Sequence, residues 1–94
     1  MTKEEMEKTY TKSYFKTKWN EVMTMAFENQ PGIQKAIMDP IIAPYLKENL
    51  VFVLFPVSFG CVTKEMVDAN QEKMKSVFEK YLDSRFSICI GTVK

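Results

Sequence analysis

Leu50-Val51-Phe52-Val53-Leu54-Phe55-Pro56 is the stretch on which the fold turns. Its six apolar residues in a row end at a proline. The run is too short to span a membrane, and its Val and Phe favour a pleated backbone over a helix, so it reads as a buried strand. Alternation sends Val51, Val53 and Phe55 to one face and Phe52 and Leu54 to the other. Both faces are apolar, so both call for cover. Helices of the same chain can supply one layer. What lies against the second face is the functional question.

The rest of the chain sets the limits. Its 94 residues make one domain with one modest core. Hydrophobic residues make up 46% and charged residues 27%, which is ordinary for a globular protein. A net charge of +1 gives no whole-domain reason to bind nucleic acid or an anionic membrane. The two cysteines, Cys61 and Cys89, lack CxxC spacing, and no signal peptide opens the chain. They read as a reduced pair in a cytoplasmic protein rather than as a disulfide. Histidine is absent, which removes the commonest general base and metal ligand together.

Outward from the strand, 1–12 reads as a charged, partly disordered lead-in with Met6 and Tyr10 as its apolar points. The single domain then covers 13–94. Ser13 is placed to cap a helix over 13–29, whose stripe is Phe15, Trp19, Val22, Met23, Ala26 and Phe27. Trp19 lies mid-stripe and reads as a core anchor. A short helix over 33–38 carries Ile33 and Ile37 on one side and stops at Asp39-Pro40. Residues 41–46 fit an edge strand, where Pro44 is tolerated, better than a proline-broken helical turn. Residues 47–49 turn the chain back into the central strand.

Thr63 is a candidate N-cap for a long helix over 63–82, with Met66, Val67, Met74, Val77, Phe78, Tyr81 and Leu82 on its buried side. Asn70 falls within that stripe and needs a partner, either backbone across the sheet or a patch left open. Phe86, Ile88 and Ile90 alternate with Ser87 and Cys89 to make a last strand. The order is helix, helix, strand, strand, helix, strand. The expected class is α+β, with a small three-stranded mixed sheet: a hairpin at one edge and a parallel pair joined by a crossover helix.

No template for catalysis fits. The chain has no Walker loop, no GxGxxG and no metal-ligand spacing, and its cysteines have no His to activate them. The loop after the central strand has one glycine, at Gly60, too few for the GXXG clamp of an RNA-binding KH domain. The sequence therefore implies a protein that is not an enzyme and has no cofactor or metal.

Trp19-Asn-Glu-Val22, the run Leu50 to Phe55, Asn70-Gln-Glu-Lys-Met-Lys-Ser-Val-Phe78 and Phe86-Ser-Ile-Cys-Ile90 together resemble the C-terminal domain of bacterial DNA polymerase III gamma/tau subunits. The order of elements is also similar to the N-terminal domain of the replication initiator DnaA. DnaA-type domains carry a Trp in the second helix, and 33–38 has none, which favours gamma/tau. The resemblance implies a truncated KH-like fold and a protein-docking role in DNA replication, within the polymerase III holoenzyme for gamma/tau. For the DnaA type it implies self-association and recruitment of partners. A phage-encoded regulatory interaction domain of the same fold is a further reading. A rival from another class is a KH-like module for single-stranded nucleic acid, using Lys16, Lys18, Tyr14 and Phe15.

Two long helices can cover one face of a three-stranded sheet. The other face is then covered by the short helix and 41–46 folding over it, or it stays open. A partner protein is expected to dock on the hairpin side, at Ile41, Tyr45, Phe52 and Leu54.

Overall fold

The computed structural model describes residues 2–57, 63–82 and 85–93. Its elements, in chain order, are α1 (Lys3–Thr9), α2 (Lys12–Ala26), α3 (Pro31–Ile37), β1 (Ile41–Tyr45), a 3-10 turn (Leu46–Glu48), β2 (Leu50–Pro56), α4 (Lys64–Tyr81) and β3 (Ser87–Val93). The sheet order is β1-β2-β3, with β1 antiparallel and β3 parallel to the central strand. This is the α+β arrangement expected from the sequence, with one helix added at the front.

The caps explain where the helices begin. Thr63 Oγ1 accepts the Met66 amide at 3.2 Å, so α4 starts where its sequence signal lies. The cap of α2 is Thr11 rather than Ser13. Thr11 has extended backbone, and its Oγ1 accepts the Tyr14 amide at 3.1 Å, which starts the helix ahead of Ser13. The lead-in forms α1 behind a Thr2 cap and is exposed along most of its length. Met6 nevertheless packs against the core, and Tyr10 is buried. The Tyr10 ring lies edge-on to Phe86 at 4.9 Å and stacks on Phe15 at 5.9 Å.

One core lies between the helices and one face of the sheet. Val51, Val53 and Phe55 from β2, Ile42 from β1 and Ile88 from β3 meet Phe15, Trp19, Val22, Met23 and Phe27 of the α2 segment there. Val67, Met74 and Phe78 of α4 close it. Each fully buried Val or Phe contributes roughly 1.5–3 kcal/mol relative to an exposed one. Trp19 is completely buried, with Phe78 at 5.0 Å and Phe55 at 5.8 Å between ring centroids. Its indole Nε1–H donates to the Ile37 carbonyl at 2.9 Å and so ties α2 to the end of α3. Ile37 is buried with it, so α3 belongs to the helical layer and does not fold over the outer face of the sheet.

The turns follow the same local chemistry. Asn49 ends the 3-10 turn in the left-handed region, at φ 56°, which Asn tolerates better than most residues. Asp39 has φ 60° at the entry to β1. The Asn20 side chain holds it there, accepting the Asp39 amide and donating to its carboxylate, both at 3.3 Å. The expected buried partner of Asn70 across the sheet is not found. Asn70 Nδ2 donates to the Met66 carbonyl one turn back in α4. The amide that crosses to the sheet belongs to the next residue, Gln71, which donates to the Ile90 carbonyl at 3.3 Å.

Candidate functional site

With every described helix on one side, the other face of the sheet is a layer with nothing on it among the described residues. The register says which side chains make it. Ile41 stands opposite Leu54, Ala43 opposite Phe52 and Tyr45 opposite Leu50. The parallel pair continues these rows, Leu54 to Gly91, Phe52 to Cys89 and Leu50 to Ser87. Paired residues share a face, so these nine positions form one surface. None of them carries a charge. All four residues singled out from the sequence belong to it.

Burial agrees with this division. Val51, Val53 and Phe55 are at most 1% exposed, whereas Leu50, Phe52 and Leu54 are only half-buried and lie outside the core cluster. Ile41 is 48% exposed and Tyr45 45%, both large apolar side chains at the β1 edge. Cys89 is exposed at the end of the middle row. The face is uneven. Tall side chains stand on β1 and β2, and small ones on β3, where the Leu54 side chain comes within 3.5 Å of the position a Cβ on Gly91 would take. A single exposed Leu or Tyr is unremarkable on a protein surface, but a contiguous apolar strip on a sheet marks an interaction surface.

The sequence pointed to Ile41, Tyr45, Phe52 and Leu54 but left out Leu50, Ala43, Ser87, Cys89 and Gly91. A signal for Cys89 was present, since it alternates against Ile88 and Ile90. What was missing was the register that sets it beside Phe52.

Both edges of the sheet are blunted against a further strand. The Ser87 amide bonds to Asn49 and the Val57 amide to Val93, which turns the β3-directed groups of β2 to odd-numbered residues. The even-numbered residues of β2 then bond to Ile41, Ala43 and Tyr45, and Pro44 faces outward, where its missing N–H breaks no ladder bond. On the far edge, the Ile88 amide donates to Glu79 Oε1 at 3.3 Å, and the Ile90 carbonyl takes Gln71. Side chains of α4 thus occupy backbone groups that a new strand would need.

Two clefts border β1, formed with residues of α1 and α2. A cleft of about 570 Å³ beside Tyr45 is lined by Lys3, Glu7 and Lys47. A second, beside Ile41, is lined by Lys12, Lys16 and Asp39. The Lys16–Asp39 ion pair, at 3.7 Å, is well exposed and adds little stability.

Of the residues named for nucleic-acid binding, Tyr14 and Lys18 line one shallow cleft together with Glu21, while the other two are engaged elsewhere. Phe15 is fully buried and cannot stack on a base, Lys16 faces Asp39, and Tyr14 lies edge-on to Phe15 at 5.2 Å. Among the described residues no three His, Cys, Asp or Glu side chains are placed to hold a metal ion, and no helix is long and apolar enough to cross a membrane. Cys61 and Gly60 lie outside the described residues. No protein-family model matches the chain, and neither the curated proteins nor the solved structures compared with it give a match.

Proposed function

We propose that this protein is a non-enzymatic docking module that binds a partner protein through the open face of its sheet. The observation that carries the reading is the uncharged surface made by Ile41, Ala43, Tyr45, Leu50, Phe52 and Leu54 on the side away from the core. The resemblance to the gamma/tau C-terminal domain supports a partner in the bacterial DNA replication machinery and a cytoplasmic setting. Self-association or regulatory recruitment of the DnaA type is the alternative docking role.

Affinity capture with the intact chain tests the reading. Tyr45→Ser and Ile41→Ser change exposed side chains and leave the core intact, which circular dichroism checks first. The wild type is expected to retain a replication protein that both folded variants lose. Variants that keep the same partner set as the wild type would overturn the proposal.

A further inference from the structure

We infer that α1 is a strap, anchored at Tyr10 and latched by Met6, that opens while the rest of the fold stays closed and so bares the wall made by Pro44 and Leu46. Through Tyr45 the strap regulates access to the open sheet face, and that last step rests on the docking role proposed above.

The strap is fixed at its C-terminal end. Tyr10 is buried, with its ring edge-on to Phe86 at 4.9 Å and to Tyr14 at 5.4 Å, and stacked on Phe15 at 5.9 Å. Only Tyr10 and Thr11 separate α1 from α2, and Thr11 is already held as the cap of α2. Any swing of α1 therefore turns on these two residues.

Ahead of that anchor the hold is slight. No residue of α1 is buried, and within it Met6 alone packs against the core. Its capping bonds are local: the Glu5 amide to Thr2 Oγ1, the Met6 amide to the Thr2 carbonyl and the Tyr10 amide to the Met6 carbonyl. Among the described residues no hydrogen bond or ion pair ties α1 to another element. A helix of 7 residues is too short to persist unaided in water. One half-buried methionine thus keeps α1 both formed and in place, and a latch of that size leaves the open form in about 1–10% of molecules.

There is room for the movement. A cleft of about 570 Å³ lies between α1, at Lys3, Met6 and Glu7, and the end of the hairpin, at Pro44, Leu46 and Lys47. Close-packed elements leave no such gap. Pro44 and Leu46 are half-buried, and Leu46 packs against the core as Met6 does. Tyr45 also lines the cleft and stands in the open sheet face opposite Leu50. Opening the strap therefore extends the apolar surface around the edge of the sheet.

Native-state hydrogen exchange on the intact chain, followed by NMR in rising sub-denaturing urea, tests the opening. The amides from Met6 to Tyr10 are expected to exchange about 10–100 times slower than in an unstructured peptide, with little dependence on urea because little surface is exposed. Those of α4 should be far better protected and steeply dependent on urea. Met6→Ser is expected to bring the α1 amides close to the unstructured rate and to leave the urea slope of α4 unchanged, while Met6→Leu keeps the latch. Protection and slope in α1 equal to those of α4 would make it part of one cooperative unit and overturn the inference. So would exchange at the unstructured rate in the wild type, or exchange that Met6→Ser does not alter.

The link to docking has its own test. Glu7→Cys with Lys47→Cys, in the protein carrying Cys61→Ser and Cys89→Ser, lets a bifunctional maleimide bridge the cleft. Against the same protein left unbridged, the locked strap is expected to weaken capture of the replication protein about tenfold, and Met6→Ser to strengthen it over the wild type. Capture that ignores the lock, where exchange shows the opening, would overturn the regulatory step and leave the strap. If Tyr45→Ser also loses no partner, the docking reading fails by itself.

Discussion

Trp19 shows how much a single side chain holds in so small a protein. It fills the space between Phe55 and Phe78 and gives its one N–H to the Ile37 carbonyl. Trp19→Phe keeps most of the volume but leaves that carbonyl without its donor, at an expected loss of about 1–3 kcal/mol. Trp19→Ala adds a cavity and is expected to lose about 3–5 kcal/mol, enough to unfold a domain of ordinary stability. Urea titrations followed by circular dichroism separate the two, and equal stability of all three proteins would remove Trp19 from the core. Asn49, at φ 56°, supplies a second test. Asn49→Gly should be neutral or mildly stabilising, whereas Asn49→Ala should lose roughly 1–2 kcal/mol in thermal melts because an L side chain resists the left-handed region. Single residues were legible where chemistry is local. The Thr63 cap could be read because threonine precedes an apolar stripe. The partner of Asn70 could not, because an amide within a stripe has its own helix and the sheet equally within reach.

At the scale of elements, the alternation in β2 carries the most information. Its odd positions are buried and its even positions half-buried, as period two requires. The edge position of β1 was legible through Pro44, and the parallel pairing of β2 and β3 through the length of the segment between them. Helix α1 was less so. Its sequence shows only isolated apolar points, and these gain meaning through Phe86 and Phe15, remote residues that the fold brings to Tyr10. Thr63→Ala is expected to lower stability by about 0.5–2 kcal/mol through loss of the α4 cap, measured by chemical denaturation. The guarded edges make a separate prediction. Gln71→Ala combined with Glu79→Ala should leave most of the core in place yet raise the tendency to aggregate, since two backbone groups of β3 then lack their partners. Light scattering on heating is the measurement, and a double variant as soluble as the wild type would show that the edge needs no guard.

On the scale of the whole molecule, the chain spends its helices on one side. Sequence stripes reveal which residues seek burial but not on which side of a sheet two helices will lie. Two coverings of the outer face were therefore open from the sequence, and the structure sets α3 in the helical layer through Ile37. The candidate site was legible as four residues and became a surface once register joined Leu50, Ala43, Ser87, Cys89 and Gly91 to them. The lead-in has a global role as well. Removing residues 2–9 takes away Met6, which packs against the core. A loss of roughly 1–3 kcal/mol is expected from this, by analogy with exposing one large apolar side chain. An unchanged melting temperature would make α1 an appendage.

The sole tryptophan lies beneath the sheet, and the proposed docking face lies above it. The protein thus has an intrinsic fluorophore optically insulated from its own binding event. Emission from Trp19 should be blue-shifted, resist quenching by acrylamide and stay constant as the outer face fills, while collapsing when the chain unfolds. A titration that moves this signal therefore reports damage to the fold, and one that leaves it still while Cys89 is shielded reports occupancy.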